Sequence, residues 1–223
     1  MTRGPLTLDD IADLRAYERE RDTFLREVIA VKRLRRVSVG PVVTLTFESR
    51  TTVRFQVQEM ARAERMATDR QIQRELDVYN RLLPVPGDLS ATLFLELRSD
   101  EELRRWLPRL VGIERACGLV LPDGPYPSVV RSVPDREHEA QMTRHAVTSA
   151  VHYVRFPFTP EQVGGLASGP ASLVVDHPGY PDGRPGVVLS DATMVELVRD
   201  LVADPVPDGP EVIGGPDAPP PRG

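Results

Sequence analysis

The chain has 223 residues, of which 40% are hydrophobic and 27% are charged, and its net charge is −5 at pH 7. This composition is ordinary for a globular protein and gives no basic face of the kind that a general nucleic-acid-binding protein carries. No apolar run approaches the roughly 20 residues that span a bilayer. Acidic residues stand at positions 9, 10 and 13, where a signal peptide would be apolar, so we expect a cytoplasmic protein. Cys117 is the single cysteine, which excludes an internal disulfide and a thiolate set for an iron–sulfur cluster or zinc knot.

Two helices are predicted at the N-terminus. Thr7 and Asp10 have the spacing of a capping box, and apolar residues follow at helical intervals. Asp22 is placed to cap a second helix. The basic run Lys32–Arg36 is short and free of aromatic residues, so it indicates the solvated end of this second helix rather than a nucleic-acid interface.

The segment from Val42 to Gln58 alternates apolar and polar residues, which predicts a β-hairpin. If Leu45 lies opposite Phe55 in this hairpin, the apolar side chains share one face and the polar side chains share the other. Residues 58–65 then continue as a helix. This arrangement gathers eight polar side chains in one small region: Glu48, Arg50, Arg54, Gln56, Gln58, Glu59, Arg62 and Glu64.

Two interpretations of this polar cluster remain open on the sequence. The cluster is a pocket or docking surface if its arginines bind an anionic group or its carboxylates bind a metal ion. It is a solvent-facing sheet surface if its charges pair with one another. The register of the hairpin is well determined, since a slip of one residue would bury the polar side chains.

The sequence predicts the starts of four further helices. Capping residues precede apolar residues at helical spacing at Thr68, Ser99, Thr159 and Ser190. Pro108 is expected to kink or split the helix that follows Ser99.

Strand-like runs lie between the helices, at 42–47, 53–58, 91–97, 119–121, 126–131, 146–158 and 171–176. Helical crossovers do not alternate regularly with these runs. The fold class predicted is therefore α+β, with one or more antiparallel or mixed sheets, N-terminal helices, the hairpin and peripheral helices.

Two histidines are candidates for chemistry. His152 shares a strand face with phenylalanines, which favours a core residue with a satisfied ring, although a metal ligand or a general base in a dry pocket is the alternative. His177 precedes Pro178 at a strand end, where it either caps a turn or binds a ligand. With Glu48, Glu59 or Glu64 the two rings would form a set of two histidines and a carboxylate suited to a mononuclear metal such as iron, manganese or zinc.

The last twenty residues differ in composition from the rest of the chain. Residues 204–223 are rich in proline, glycine and acidic side chains, and we expect them to be a disordered tail. Residues 1–203 are expected to form one α+β domain, with two subdomains at about 1–86 and 89–203 as the alternative division.

One stretch carries a family resemblance. Thr46–Met60, which reads TFESRTTVRFQVQEM, resembles the signature of an uncharacterised bacterial family, domain of unknown function 3501. The segments Leu6–Ile11, Tyr17–Arg19, Glu75–Asn80, Gly112–Glu114, Ser149–His152 and Val175–Pro178 resemble the family as well. The resemblance covers the chain from Leu6 to about Ala203. It supplies no catalytic residues.

The family resemblance implies a biochemical context for the protein. Members of the family are typically encoded beside a rubrerythrin-like protein and an iron–sulfur oxidoreductase, which implies a redox or peroxide-stress system. The chain carries no nucleophile elbow, P-loop or dinucleotide-binding glycine motif. We therefore expect an accessory protein that docks on one of these two partners, with no evident cofactor and with no nucleic-acid or membrane partner. The alternative is a small metal- or ligand-binding enzyme that uses His152, His177 and the hairpin carboxylates. Whether the protein is an enzyme, and its oligomeric state, are left open by the sequence.

Overall fold

A computed structural model of the protein describes residues 4–122, 128–135, 147–180 and 185–202. In these ranges the chain forms six α-helices and two antiparallel sheets, which confirms the predicted α+β fold class. The helices are α1 (Leu14–Arg35), α2 (Arg50–Ala63), α3 (Asp69–Tyr79), α4 (Asp100–Trp106), α5 (Pro160–Ser168) and α6 (Asp191–Leu201). The strands are β1 (Arg36–Val39), β2 (Val43–Phe47), β3 (Asp88–Leu95), β4 (Cys117–Leu121), β5 (Ser128–Arg131), β6 (Val133–Pro134), β7 (Val151–Pro157), β8 (Ser172–Val175) and β9 (Gly186–Val188). Single 3₁₀ turns lie at Leu8–Asp10, Asn80–Leu82 and Ile113–Arg115.

The strands form two separate sheets. Sheet A has the strand order β1-β2-β3-β7-β6, and sheet B has the order β5-β4-β8-β9. In sheet A, Thr46 of β2 pairs with Thr92 of β3, which in turn pairs with Tyr153 of β7. The next row of the same three strands contains Leu45, Leu93 and His152. Because side chains alternate along a strand, these two rows point to opposite faces of sheet A.

The two faces of sheet A pack against different layers. A large apolar cluster lies on the face of Leu93 and Phe156, and it also contains Leu119 and Leu173 of sheet B. The opposite face is covered by helices, because Val57 of α2 and residues of α3 form a second apolar cluster that packs against Tyr153. The order of layers is therefore helices, sheet A, apolar core and sheet B.

The predicted hairpin is wrong in its second half. Residues 50–63 form the helix α2 instead of a strand, and Leu45 pairs with Val37 and Leu93 rather than with Phe55. The helix starts at Ser49, whose side chain accepts a hydrogen bond from the backbone N–H of Thr52, while the Thr52 hydroxyl accepts one from the backbone N–H of Ser49. This reciprocal pair is a capping box with threonine in place of the usual glutamate or glutamine. The residue types that suggested a strand are therefore buried at helical spacing instead.

The N-terminal helices also differ from the prediction. Thr7 precedes only the short turn Leu8–Asp10, and the first long helix is capped by Asp13, which accepts a hydrogen bond from the backbone N–H of Ala16. This helix α1 continues through Asp22, so no second helix begins there. Its basic C-terminal run is not wholly solvated, because Arg35 is 2% exposed.

The remaining helix starts are confirmed. Thr68, Ser99, Thr159 and Ser190 directly precede α3, α4, α5 and α6. α4 ends at Trp106, ahead of Pro108, which agrees with the expected interruption. In the described ranges no helix is both long enough and apolar enough to cross a membrane. The predicted tail at 204–223 lies outside the described residues, as does the start of the strand predicted at 126–131.

Candidate functional site

The eight predicted cluster residues lie on or beside α2, but they face different neighbours. Arg50, Arg54 and Gln58 are one helical turn apart and contact the segment of residues 4–12. Glu59 and Arg62 face α1. Glu48 precedes the helix and contacts sheet A, whereas Gln56 and Glu64 are exposed to solvent.

The first group attaches the N-terminal segment to α2. Arg50 forms a 2.7 Å ion pair with Asp10, and the Arg54 guanidinium donates a 2.7 Å hydrogen bond to the Asp10 backbone oxygen. Gln58 is fully buried, and its amide binds both backbone groups of Ala12, accepting from the N–H at 3.0 Å and donating to the oxygen at 2.9 Å. These side chains therefore build the fold.

The second group joins α2 to α1. The Glu59 carboxylate accepts hydrogen bonds from the Tyr17 hydroxyl at 2.7 Å and from Arg21 at 2.8 and 2.9 Å. The bond from the Arg21 guanidinium, with that from Tyr17, lowers the pKa of Glu59 to about 2. Burial and the same carboxylate raise the pKa of Tyr17. Glu59 is therefore an ionised structural group that already has its full set of partners.

Glu48 occupies a different environment, between the start of α2 and the polar face of sheet A. Its two carboxylate oxygens accept 2.5 Å hydrogen bonds from the hydroxyls of Thr52 and Thr92. Tyr153 lies on the same face, and its pKa is raised to about 12 by burial, by Tyr79 and by the Glu48 charge. The Thr46 hydroxyl, in the row of Thr92 and Tyr153, is buried and has no hydrogen-bond partner. We call Thr46, Glu48, Thr92 and Tyr153 the Glu48 site.

His152 lies on the opposite, core-facing side of sheet A and is 4% exposed. Its Nε2 is 3.0 Å from the Ser149 backbone oxygen and 2.9 Å from the Thr148 hydroxyl. Its Nδ1 is 4.0 Å from Oε2 of Glu114, another buried side chain. Burial lowers the pKa of His152, and the Glu114 charge opposes this effect.

His177 and Cys117 both have structural surroundings. Nδ1 of His177 accepts a 3.0 Å hydrogen bond from the Gly179 N–H, and Nε2 lies 3.0 Å from the Val111 backbone oxygen. The ring thus closes the turn after β8. Cys117 is fully buried, and burial, assisted by the Glu114 charge, raises the pKa of its thiol to about 12, so the reactive thiolate is not formed near neutral pH.

The predicted set of two histidines and a carboxylate is not brought together. His152 and Glu48 point to opposite faces of sheet A, and both ring nitrogens of His177 lie against backbone groups. The described residues contain no group of three or more histidine, cysteine, aspartate and glutamate side chains placed to hold a metal ion. This corrects the prediction that His152, His177 and Glu48, Glu59 or Glu64 share one site.

Sequence reasoning did not place Thr92 or Tyr153 beside Glu48, nor Glu114 beside His152. Thr92 pairs with Thr46 and with Tyr153, which lie 46 and 61 positions away in the chain, so local spacing carries no signal for Thr92 and Tyr153. Glu114 was noted within the family-like segment Gly112–Glu114, and that segment was the available signal.

Comparison with known families and structures agrees with the fold. The model of a family described as a protein of unknown function, DUF3501, matches residues 5–201. The chain belongs to this family. No curated protein matches this DUF3501 chain. A solved structure, a novel protein of unknown function from Burkholderia pseudomallei K96243, is 34% identical with a TM-score of 0.80 and covers 89% of this chain and 100% of that chain. The DUF3501 match extends from the N-terminal segment through α6, so it includes both the Glu48 site and the Glu114–His152 pair.

Proposed function

We propose that this DUF3501 protein is a cytoplasmic accessory protein of a redox or peroxide-stress system, and that it acts by docking on a rubrerythrin-like protein or an iron–sulfur oxidoreductase. The setting is supported by the family resemblance, which implies these two partners. Membership of the family supports carrying this setting over to the chain.

One structural observation supports a docking role over catalysis. Among the described residues, three side chains with the chemistry of a nucleophile, a base or a metal ligand are engaged in holding the fold together. The Cys117 thiol is fully buried, Glu59 is bound by Arg21 and Tyr17, and the His177 ring closes a turn. Groups held in this way stabilise the elements that they join, which favours a structural role for these three residues over a catalytic one.

A binding measurement with purified proteins tests this proposal. The protein is mixed with a rubrerythrin-like protein or with an iron–sulfur oxidoreductase from the same organism, and the mass of the eluting species is measured by light scattering. We expect a discrete complex with one of the two. Separate elution of all components at concentrations of tens of micromolar would contradict the proposal.

Two exposed valines on different elements serve as matched variants. Val78 of α3 and Val188 of β9 are 48% and 65% exposed, so Val78→Arg and Val188→Arg change the surface without changing the core. If the docking face includes α3, Val78→Arg should weaken the complex and Val188→Arg should not; if it includes β9, the reverse is expected. If both variants bind the partner as well as the unchanged protein does, and all three also bind an unrelated protein, the association is nonspecific. That result would contradict docking.

The Glu48 site favours a second candidate function, the binding of a small cation or of a small molecule rich in hydrogen-bond donors. Glu48 and Tyr153 are both half-buried, and the buried Thr46 hydroxyl beside them has no partner in the fold. A carboxylate in such a setting suits an ammonium group, a hydroxyl group or a metal ion. This candidate retains the ligand-binding alternative but moves it away from His152 and His177.

Native mass spectrometry and elemental analysis of untagged full-length protein test the second candidate. We expect a bound species that is lost in Glu48→Gln and retained in Glu64→Gln, because Glu64 is an exposed carboxylate at the end of the same helix. An apoprotein mass without stoichiometric metal in the unchanged protein would exclude this function. Retention of the bound species in Glu48→Gln would exclude the site.

A further inference from the structure

The outer face of sheet B is apolar although it is exposed to water. The core-facing positions of this sheet are those of Leu119, Val130 and Leu173, and because side chains alternate along a strand, the positions between them point outward. The outward positions of the described strands form two rows: Val129, Val120, Ser172 and Val188, and then Arg131, Gly118, Val174 and Gly186. Val129 and Val188, at the two ends of the first row, are 38% and 65% exposed.

The strands of sheet B do not have the pattern of a sheet with one face in water. Such a sheet alternates apolar and polar residues, so that polar side chains meet the solvent. In sheet B the apolar residues are consecutive instead: β4 reads CGLVL, β8 reads SLVV and β9 reads GVV. Consecutive apolar residues are typical of strands that are covered on both faces. The apolar core covers one face of sheet B, and a contiguous apolar surface on the other face marks an interaction site.

The two glycines make this outer face flat. A Cβ atom at Gly118 would lie 2.9 Å from Cγ1 of Val129, and a Cβ atom at Gly186 would lie 2.9 Å from Cγ1 of Val174. Each of these valines therefore fills the space beside a glycine that a larger residue would occupy. A flat apolar sheet face is complementary to another sheet face, because two sheets pack face to face at a distance of about 10 Å.

The charges on the outer face of sheet B indicate which sheet face it binds. Arg131 is the charged residue of the two rows, and Asp176 occupies the next outward position of its strand after Val174. Arg131 and Asp176 form a 3.5 Å ion pair at one end of the face, and their side chains are 55% and 26% exposed. This pair gives the face one charge of each sign. Such a face is complementary to itself, because in a two-fold dimer residue i of one copy contacts residue j of the other while j contacts i.

We propose that the outer face of sheet B binds the same face of a second copy of this chain, so that the protein is a two-fold symmetric dimer. The exposed valines are removed from water in this dimer, and the burial of their apolar surface drives association. Arg131 of each copy lies beside Asp176 of the other, so the charges of the interface stay paired. The helix layer and the Glu48 site lie on the far side of sheet A, and the dimer therefore does not rest on the docking role proposed above.

Sedimentation equilibrium of the protein alone, from micromolar to millimolar concentration, tests the dimer. We expect the mass to approach twice the 24.8 kDa of one chain. Val129→Arg and Val188→Arg should each raise the dissociation constant of the dimer by about a hundredfold or more, because two-fold symmetry introduces the unpaired charge twice. Val78→Arg, at an exposed valine of α3, is the matched control and should leave the dimer unchanged. A single-chain mass at every concentration would overturn the proposal, as would a dimer that both sheet variants retain.

A charge exchange at the edge of the face keeps the proposal testable if the valine variants do not fold. Arg131→Glu changes an exposed side chain and leaves the interface with acidic charges alone, so we expect the dimer to dissociate. The double variant Arg131→Glu with Asp176→Arg restores one charge of each sign and should restore the dimer. A dimer as stable in Arg131→Glu as in the unchanged protein would overturn this interface, and a double variant that sediments as a single chain would overturn the pairing of Arg131 with Asp176 between copies.

Discussion

Gln58 shows at the scale of one residue how a polar side chain of the family-like stretch builds structure. Its amide is fully buried and reproduces a backbone-like pair of hydrogen bonds with Ala12. Both backbone groups of Ala12 thereby receive partners that no neighbouring strand supplies. Binding both backbone groups of Ala12 requires a side chain with an N–H donor and an oxygen acceptor at its end. Glutamine has both, whereas ionised glutamate has no donor and leucine has neither.

Replacement of Gln58 by leucine should therefore destabilise the protein strongly. The substitution leaves the N–H and the oxygen of Ala12 without their partners, and we expect a loss of about 2–4 kcal/mol in the free energy of unfolding, since each unsatisfied buried group costs roughly 1–3 kcal/mol. Urea unfolding measures the loss. Gln56→Leu is the matched control, because Gln56 is an exposed glutamine on the same helix. Equal effects of the two substitutions would show that Ala12 finds other partners.

The ion pair of Glu59 should account for part of the stability that the protein loses in acid. Its pKa of about 2 lies below the ordinary value for glutamate, so its ion pair stabilises the fold fully above about pH 4.3 and loses this effect as the pH falls toward 2. In Glu59→Gln we expect the loss of stability between pH 5 and pH 2 to be smaller by about 1–3 kcal/mol. Urea unfolding at a series of pH values checks the difference. Glu64→Gln, which removes an exposed carboxylate, should follow the unchanged protein through the same range.

At the scale of elements, α2 depends on its capping box. Ser49→Ala removes the side-chain acceptor for the Thr52 N–H and should lower the free energy of unfolding by about 1 kcal/mol. Thr51→Ala is the control, since Thr51 lies inside the helix and takes no part in the cap. Thermal or urea unfolding of both variants measures the difference. If Thr51→Ala lowers the free energy of unfolding as much as Ser49→Ala does, the Ser49 cap makes no specific contribution to the stability of α2.

The same helix explains why the sequence predicted some elements and not others. Helix starts at Thr68, Ser99, Thr159 and Ser190 were predictable because their signals are local. The hairpin was not, because Val53 and Val57 are separated by four residues, a spacing that is compatible both with one face of a strand and with one face of a helix. β2 pairs with β1 across the short turn at residues 40–42 and with residues 91–95 of β3. The second pairing joins residues far apart in the chain, so local spacing does not predict it.

The candidate site, like the fold, was predictable from the sequence only where its signals are local. Glu48 was singled out because it stands beside other polar residues in the sequence, and it does meet polar groups in the fold. Its neighbours Thr92 and Tyr153 come from strands that are distant in the chain, so only strand pairing identifies them. His152 was identified as a buried histidine from the phenylalanines on its face, whereas its approach to Glu114 depends on how the two sheets pack.

At the scale of the whole molecule, one buried arginine joins helix α1 to helix α6. Arg35 ends α1, and its guanidinium donates to Asp200 at 2.6 Å, to Glu196 at 3.0 Å and to the backbone oxygen of Glu48 at 3.1 Å. Glu196 and Asp200 belong to α6, near the end of the described chain. One side chain therefore connects the first long helix, the last helix and the strand end that carries the Glu48 site.

Replacement of Arg35 by methionine should consequently destabilise the molecule more than replacement of any exposed arginine. Methionine fills part of the volume but leaves two carboxylates, 16% and 17% exposed, without their shared counter-charge, and we expect a loss of about 2–4 kcal/mol in the free energy of unfolding. Part of the loss should be recovered at low pH, because burial raises the pKa of Asp200 and its neutral form needs no arginine. Arg36→Met, at the adjacent residue whose side chain is 45% exposed, is the matched control for urea unfolding and should change stability by less than about 0.5 kcal/mol. If both variants unfold at the same urea concentration, α1 and α6 are held together by their apolar contacts, and the guanidinium contributes little net stability once the cost of removing it from water is included.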